Sequence, residues 1–315
     1  MRIVFMGTPD FAVPSFKMLI DEGYDIISVI TQPDKPKGRG NKISQPPVKE
    51  EALKHGIEVY QPKKVKDKEF VEILKNLNPD IIIVIAFGQI LSKEILSIPK
   101  YGCINVHSSL LPKYRGAAPI NWAIINGEEV TGVTTMYMDE GLDTGDMILK
   151  IETKIGNEEN AGQLHDRLAI LGADVLKETL NLIKQGNAPR QKQDDSQSSY
   201  APIMDKNLGN IDWNKSAKDI YNLVRGTNPW PSSFTSYKGN MMKIWKSTAL
   251  DNEKTSKQPG TIIKVSDEGI YVACGRGILV VEEIQMPGKK RVKVQEYIKG
   301  NTIEKDIILG EKSEQ

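Results

Sequence analysis

The chain has 315 residues, enough for about two domains that each bury their own core. Its 42 lysines and arginines balance 41 aspartates and glutamates, and the formal net charge of +1 excludes a protein that binds nucleic acid through its overall charge. No apolar run approaches the roughly 18 residues of a membrane-spanning helix, so we expect no membrane contact.

The first half of the chain alternates short apolar runs with amphipathic segments. The predicted strands cover residues 2–6, 25–31, 57–60, 80–86, 102–106 and 132–136, and the predicted helices cover 11–21, 48–54, 68–77, 118–125 and 161–185. Residues 80–86 are apolar on both faces, as in a central parallel strand covered by helices. The pattern predicts an α/β domain with a doubly wound, mostly parallel sheet. Its active site is expected beyond the carboxyl ends of the strands.

The second half has a different sequence pattern. A polar stretch rich in serine follows the long helix and predicts a linker over residues 189–206. One helix then precedes short β-prone runs, which are expected at 241–247, 260–265, 269–273 and 278–284. Short strands at this spacing predict a small OB-like β-barrel, a common nucleic-acid scaffold. The expected domains are therefore residues 1–188 and 207–315, joined by the linker.

Two loops that each follow a predicted strand carry groups suited to acyl-type transfer. The first, in CINVHSSLLPKYRG, holds Asn105 and His107, and the second, in MDEGLDTGD, holds Asp143. An imidazole changes its charge near neutral pH, so it can move a proton or stabilise an oxyanion. An amide can donate to the same developing charge, and a carboxylate can orient the imidazole. These three residues are the predicted catalytic set.

Other groups of the same chemical types have simpler interpretations. Asp139, Asp143 and Asp146 could ligate a cation, but their spacing does not match an EF-hand, and we expect no metal site. Cys103 and Cys274 lack metal-ligand spacing, so we expect both to be reduced, buried and structural. The chain start, MRIVFMGTPDF, is typical of a strand entering a turn, and the expected location is the cytoplasm. The two remaining histidines are expected to be structural: His55 and His165.

Two basic stretches suggest a polyanionic partner. Residues 33–49 are rich in proline and glycine, predict a loop without regular structure, and begin at the expected active-site edge. A flexible cationic loop there suits sequence-independent phosphate contacts. Its cations are Lys35, Lys37, Arg39, Lys42 and Lys49. The second stretch lies in the C-terminal domain and contains Lys289, Lys290, Arg291 and Lys293.

Taken together, these motifs resemble the methionyl-tRNA formyltransferase family, whose members use 10-formyltetrahydrofolate. The resemblance covers nearly the full length. It rests on MGTPDFA, TQPDKPKGRGNK, AFGQIL, GCINVHSSLLPKYRGAAPI and MDEGLDTGDM in the first half, and on IDW, NPWP and PGKK in the second. The KPKGRG loop and the appended domain point to tRNA. The C-terminal residues 303–315 match weakly.

The resemblance implies roles for particular residues. Asn105, His107 and Asp143 would be catalytic, and the folate site would be lined by Phe87, Gly88, Ser109, Leu110, Leu111 and Pro112. Contacts to tRNA would come from Lys35, Lys37, Arg39, Lys42, Lys289 and Lys290. Two departures from the family pattern are Phe87, where tyrosine is expected, and Ser108, where glycine is expected.

The implied reaction transfers a formyl group from the co-substrate 10-formyltetrahydrofolate to the α-amine of initiator methionyl-tRNA. We expect a monomer that needs no metal. The alternatives from the same residues are a formyltransferase acting on an amino-sugar nucleotide or glycinamide ribonucleotide, and a formyl-folate hydrolase. A tRNA- or folate-binding protein without catalytic activity is a further alternative, which the intact catalytic set disfavours.

Overall fold

The computed structural model describes residues 1–37 and 42–310, without the side chains of Lys37 and Lys42. The chain forms two compact units. Unit 1 consists of Met1–Pro119, Val130–Lys154 and His165–Ala201. Unit 2 consists of Ile120–Glu129, Ile155–Leu164 and Pro202–Gln315.

The described secondary structure comprises strands, α-helices and short 3-10 helices. The strands are β1 (Arg2–Gly7), β2 (Asp25–Ile30), β3 (Lys35–Lys37), β4 (Lys42–Ser44), β5 (Val59–Tyr60), β6 (Ile81–Ile85), β7 (Cys103–His107), β8 (Arg115–Gly116), β9 (Val130–Tyr137), β10 (Met147–Lys154), β11 (Tyr200–Ala201), β12 (Ser233–Tyr237), β13 (Asn240–Leu250), β14 (Ile262–Ser266), β15 (Gly269–Ala273), β16 (Ile278–Gln285) and β17 (Val292–Lys293). The α-helices are α1 (Val13–Asp21), α2 (Pro47–Lys54), α3 (Lys68–Leu77), α4 (Lys93–Leu96), α5 (Pro119–Ile125), α6 (Ala161–Lys184), α7 (Ala217–Gly226) and α8 (Val294–Ile298). The 3-10 helices are Asp10–Ala12, Asp195–Gln197 and Lys206–Gly209.

Unit 1 is built on a seven-stranded sheet in the order β10-β9-β7-β6-β1-β2-β5. The strands from β7 to β5 are parallel to their neighbours, whereas β9 is antiparallel to both β7 and β10. All five residues of β6 are buried, as expected for a central strand covered on both faces. The predicted doubly wound, mostly parallel sheet is confirmed.

Two parts of unit 1 differ from the sequence-based expectation. Strand β10 was not predicted, because beyond its first two residues it alternates partly buried and exposed positions in a polar edge pattern. The basic stretch was expected to lack regular structure, and this was wrong: β3 and β4 pair as an antiparallel hairpin, with Pro36 opposite Ile43. A proline fits there because each strand of a two-stranded hairpin keeps an unpaired edge.

The predicted linker makes specific contacts with unit 1 up to residue 201. Gln191 exchanges two backbone hydrogen bonds with Met147, of 2.8 and 3.0 Å, and β11 pairs in parallel with β8. From Pro202 onward the chain belongs to unit 2. The boundaries at 188 and 207 remain a prediction.

Unit 2 contains an antiparallel sheet in the order β12-β13-β16-β15-β14, with β17 also paired to β16. Helix α7 begins with a capping box formed by Ser216 and Asp219, and it packs on the sheet through Ile220 and Val224. The predicted appended β domain is confirmed. Strands β12 and β17 were missed because they are short or lie beside polar turns. Across residues 1–37 and 42–310, no helix is long and apolar enough to cross a membrane.

Candidate active site

We expected Asn105 and His107 in a loop that follows a strand, but both lie within strand β7. They are on the same face, because side chains two residues apart in a strand point to the same side. The third predicted residue, Asp143, lies in the loop between β9 and β10. We expected this loop beyond the carboxyl end of a parallel strand, but β9 is antiparallel to β7. The loop therefore begins near the amino end of β7, where the amide of Met138 donates to the Cys103 carbonyl at 2.8 Å. From there it brings Asp143 to Asn105.

The carboxylate of Asp143 is the centre of the site. Its Oδ1 accepts a 3.3 Å hydrogen bond from the side-chain amide of Asn105, and its Oδ2 accepts a 2.9 Å bond from the backbone amide of Gly116. The same Oδ2 lies 3.7 Å from Nδ1 of His107. The side chains of His107 and Asp143 are 7% and 13% exposed. The structure therefore brings all three predicted catalytic residues together in a largely buried cluster.

The protonation pattern of His107 is set by its other ring nitrogen. Nε2 lies 2.9 Å from the carbonyl oxygen of Tyr114. A carbonyl oxygen can only accept, so Nε2 carries the hydrogen. In the neutral ring, Nδ1 then holds the lone pair, and it is the atom that faces Asp143. Tyr114 has a positive φ of 61°, which is uncommon for a residue with a side chain.

Position 116 requires a glycine for two reasons. Its φ is 115°, and a Cβ atom there would lie 2.7 Å from the carbonyl oxygen of Ala201. Glycine therefore allows β8 to lie against β11 while its amide points at Asp143.

Three contributors to the site were missed by the sequence analysis. They are the Tyr114 carbonyl, the Gly116 amide and the side chain of Gln193, which donates to the backbone carbonyl of Asp143. Backbone groups carry no residue-type signal. Gln193 lies in the polar segment predicted as a linker, where nothing in the sequence distinguishes it from its neighbours.

The residues that the resemblance assigns to folate lie in two loops. Phe87 and Gly88 follow β6, and the Phe87 carbonyl accepts 3.2 Å hydrogen bonds from the side chains of Thr8 and Gln32. Thr8 and Gln32 follow β1 and β2, so the Phe87 turn is fixed where the carboxyl ends of three parallel strands meet.

The second folate-assigned loop follows β7. The Ser109 hydroxyl is buried and donates to the Lys113 carbonyl at 2.7 Å. Leu111 is buried against Met136 and Met147, and Pro112 beside it is half-buried. Leu110 is half-buried beside Gly132, whose added Cβ would approach Leu110 Cδ2 to 2.6 Å. Ser109 and Leu111 therefore hold the loop in place, while Leu110 and Pro112 keep part of their surface accessible.

The basic residues fall into several groups. Lys35 is exposed on β3; the side chains of Lys37 and Lys42, like the whole of Arg39, lie outside the described residues. Lys289 and Lys290 are exposed in unit 2. Lys49 is different, because its Nζ contacts both carboxylate oxygens of Asp34 at 2.9 Å and Gln61 at 2.7 Å.

The groups expected to be structural have identifiable partners. His55 lies 3.4 Å from Glu51, and His165 lies 3.0 Å from Asp166 and packs on Phe11. Both cysteines are buried and unpaired, and burial raises the pKa of each thiol to about 12. Within the described part of the chain, no group of three or more His, Cys, Asp or Glu residues is arranged to hold a metal ion.

Known proteins with this architecture are found by comparison of sequence and structure. The profile described as formyl transferase matches residues 1–180, and the profile described as formyl transferase, C-terminal domain, matches residues 203–302. An N-formyltransferase from Helicobacter canadensis, solved with folinic acid and dTDP-3-aminofucose, has the same fold, with a TM-score of 0.65 and 22% identity over 89% of this chain and 98% of that one. The chain belongs to the formyl transferase family.

Nearer relatives narrow the family further. The methionyl-tRNA formyltransferase of Clostridioides difficile is 64% identical over 310 residues, covering 98% of this chain and all of that protein. That of Acetivibrio thermocellus is 57% identical over 311 residues, covering 99% of this chain and all of that protein. Within the formyl transferase family, the chain therefore groups with the methionyl-tRNA formyltransferases. These similarities support the main interpretation over the amino-sugar alternative.

Proposed function

We propose that this chain transfers the formyl group of 10-formyltetrahydrofolate to the α-amine of initiator methionyl-tRNA, using Asn105, His107 and Asp143. The products are N-formylmethionyl-tRNA and tetrahydrofolate. The observation that carries the proposal is the Asp143 carboxylate, which is hydrogen-bonded to Asn105 and lies 3.7 Å from His107, in a chain 64% identical to a methionyl-tRNA formyltransferase.

The hydrogen-bond donors of the site suit the transfer of a formyl group. When bound, 10-formyltetrahydrofolate supplies a formyl group attached to its N10 atom. The amide nitrogen of Asn105 carries two hydrogens, and the bond to Asp143 uses one. In this proposal the second hydrogen is donated to the negative charge that develops on the formyl oxygen. A donor held in place before the reaction stabilises such a charge strongly, because it needs no reorganisation.

His107 acts in the proposal through Nδ1. The Tyr114 carbonyl holds the Nε2 hydrogen, which leaves the Nδ1 lone pair available to accept a proton from the attacking amine. The protonated ring then carries a positive charge that also favours the developing oxyanion.

Asp143 acts on His107 and Asn105 together. Its carboxylate balances the charge of the protonated imidazole and holds the Asn105 amide in its donating orientation. The Gly116 amide fixes the carboxylate itself. Asp143 also assists the transfer of the proton toward the leaving nitrogen, directly or through an ordered water.

Substrate contacts follow the same assignment. Phe87, Gly88, Ser109, Leu110, Leu111 and Pro112 form the walls and supports of the folate site. Lys35, Lys37, Arg39, Lys42, Lys289 and Lys290 contact tRNA phosphates. The exposure of Lys35, Lys289 and Lys290 supports this role, because an exposed cation can reach a phosphate without first losing a buried partner.

The proposed assembly and location are a monomer in the cytoplasm. The cytoplasm is supported by two buried, unpaired cysteines, which suit a reducing compartment. Light scattering of the purified protein, alone and with tRNA, tests the monomer.

The function is tested with 10-formyltetrahydrofolate and three reactions in parallel, containing methionyl-tRNA, a nucleotide amino sugar, or no acceptor. A triple variant, Lys35→Ala with Lys37→Ala and Arg39→Ala, is assayed alongside. We expect transfer to methionyl-tRNA only, with a raised KM for tRNA in the variant. Transfer to the sugar, or formate release without acceptor, would overturn the tRNA assignment.

A further inference from the structure

The side chain of Gln193 joins the two segments that bracket the Asp143 carboxylate. Its amide nitrogen donates 2.8 Å hydrogen bonds to the backbone carbonyls of Asp143 and Gly145. Its amide oxygen accepts bonds from Arg115, at 3.0 Å from Nε and 2.8 Å from the terminal nitrogen. Both hydrogens and both lone pairs of the Gln193 amide are therefore used.

The first pair of bonds fixes the backbone from which the Asp143 carboxylate projects. Asp143 has a φ of 54°, in the left-handed region that residues with a side chain seldom adopt. The loop is also closely packed at Gly145, where a Cβ atom would lie 1.8 Å from the Tyr137 carbonyl oxygen. The bonds from Gln193 hold this loop in a conformation that the local sequence does not strongly favour.

The second pair of bonds fixes the opposite side of the carboxylate. Arg115 immediately precedes Gly116, whose amide donates to Asp143 Oδ2. Arg115 also forms an ion pair at 2.7 Å with Asp195, whose carboxylate is 82% exposed. Gln193 accepts from two nitrogens of Arg115 and is the anchor that also reaches Asp143.

We propose that Gln193 is a positioning residue for the formyl transfer: it sets the distance and angle of the Asp143 carboxylate relative to His107 and Asn105. This inference rests on the proposed function of those three residues. Among the described residues, the hydrogen bonds of the Gln193 side chain go to two backbone carbonyls, Arg115 and the Met136 sulfur at 4.0 Å, so in this proposal it acts through Asp143 and not on substrate.

An amide is required for this role. A glutamate at the same position would keep the bonds to Arg115 but would direct a carboxylate at two carbonyl oxygens, which can only accept. Gln193→Glu therefore separates anchoring of Arg115 from anchoring of Asp143. Gln193→Ala removes both.

The experiment measures steady-state formylation, thermal stability and amide hydrogen exchange for wild type, Gln193→Ala and Gln193→Glu. The matched control is Gln197→Ala, a glutamine of the same segment that is exposed and whose side chain, within residues 1–37 and 42–310, bonds only to Asp194, at 3.2 Å. Exchange at the Gly116 amide reports on the carboxylate that it contacts. Exchange at the Ala117 amide, bonded to the Ala201 carbonyl at 2.9 Å, is the internal reference.

We expect both Gln193 variants to lose about 10- to 100-fold in kcat, because a displacement of about 1 Å at a reacting group costs on that order. The KM values for both substrates should stay within about twofold, and the melting temperature should fall by about 2–4 °C, the effect of about 1 kcal/mol in a domain of this size. Gly116 should exchange faster while Ala117 does not, and Gln197→Ala should match wild type.

Wild-type kcat in both Gln193 variants would overturn the proposal, as would a loss of kcat accompanied by an equal rise in KM and a large drop in melting temperature. A wild-type protein without transfer activity would count against the proposed function instead. In that case the exchange rate of Gly116 still decides whether Gln193 holds the carboxylate in place.

Discussion

The Nδ1 atom of His107 lies 3.7 Å from Oδ2 of Asp143, which is slightly too long for a hydrogen bond and short enough for an ion pair once the ring is protonated. The opposite ring nitrogen is already bonded to a backbone carbonyl. The two ring nitrogens therefore have different neighbours: Nε2 faces a carbonyl oxygen and Nδ1 faces a carboxylate. In the proposed function, Nδ1 is the nitrogen that takes the proton.

Replacing His107 by glutamine tests the separate roles of its two ring nitrogens. Glutamine can keep a donor near the Tyr114 carbonyl but has no equivalent of Nδ1. We expect His107→Gln to lower kcat by about 10²- to 10⁴-fold, the usual contribution of a general base, with near-native thermal stability. His55→Gln, at a partly exposed histidine paired with Glu51, is the control and should retain wild-type kcat. Wild-type kcat in His107→Gln would remove His107 from the chemistry.

Removing the Asn105 amide tests the oxyanion donor. We expect Asn105→Ala to lower kcat by about 10²- to 10³-fold, the effect of deleting one such donor, with little change in either KM. Asn187→Ala, at an exposed position of unit 1, is the matched control. Unchanged turnover in the Asn105 variant would contradict its assignment.

The exposed lysines of unit 2 should contribute to tRNA affinity. We expect the double variant of Lys289→Ala and Lys290→Ala to raise KM for methionyl-tRNA without changing KM for the folate. For this variant, the slope of log affinity against log salt concentration should be smaller in magnitude by about 1 for each phosphate that a lysine no longer neutralises. Lys299→Ala removes a lysine that is paired with Glu296 at 2.9 Å and should leave the slope unchanged. An unchanged slope in the double variant would exclude both lysines from phosphate binding.

The base of the basic hairpin should be sensitive to acid. Asp34 directly precedes β3, and hydrogen bonds from Lys49 and Gln61 hold the pKa of its carboxyl below the usual value. A carboxyl with a lowered pKa stabilises the fold above its unfolded pKa of about 4, and that stability is lost as pH falls through the folded value.

We therefore expect wild type to melt at a higher temperature than Asp34→Asn at pH 6, with a gap that closes as the pH falls below about 4. The control is Asp67→Asn, at an exposed helix N-cap without a side-chain capping bond. A gap for Asp34→Asn that does not depend on pH would show that the ionised carboxylate is not what stabilises the hairpin base.

Local sequence patterns were sufficient for the central elements. The run of five buried residues in β6 predicts a covered parallel strand, and α3 begins and ends where its apolar spacing predicts. The grouping of Asn105, His107 and Asp143 was expected from residue types, although Asn105 and His107 lie within β7 and the Asp143 loop follows an antiparallel strand. These features depend on chain-local periodicity and on side chains with distinctive chemistry.

The remaining features depend on contacts between distant parts of the chain. Gln193 is separated from Asp143 by 50 residues and from Arg115 by 78, and a glutamine in a polar stretch has no distinctive local pattern. The Tyr114 carbonyl that orients His107 is a backbone group available at any residue. The antiparallel direction of β9 could not be predicted either, because an apolar strand has the same sequence pattern in parallel and antiparallel pairing.

The most direct test of the central claim is a single-turnover measurement of formyl transfer to methionyl-tRNA by wild type and Asp143→Asn, with both substrates saturating. The variant keeps the size of the side chain but removes the charge beside His107 and replaces one acceptor oxygen by a donor. We expect its rate constant to fall by at least about 10²-fold, as when a carboxylate that orients a catalytic histidine becomes an amide. A rate constant within twofold of wild type would contradict the account, because the carboxylate that joins Asn105, Gly116 and His107 would then have no role in the transfer.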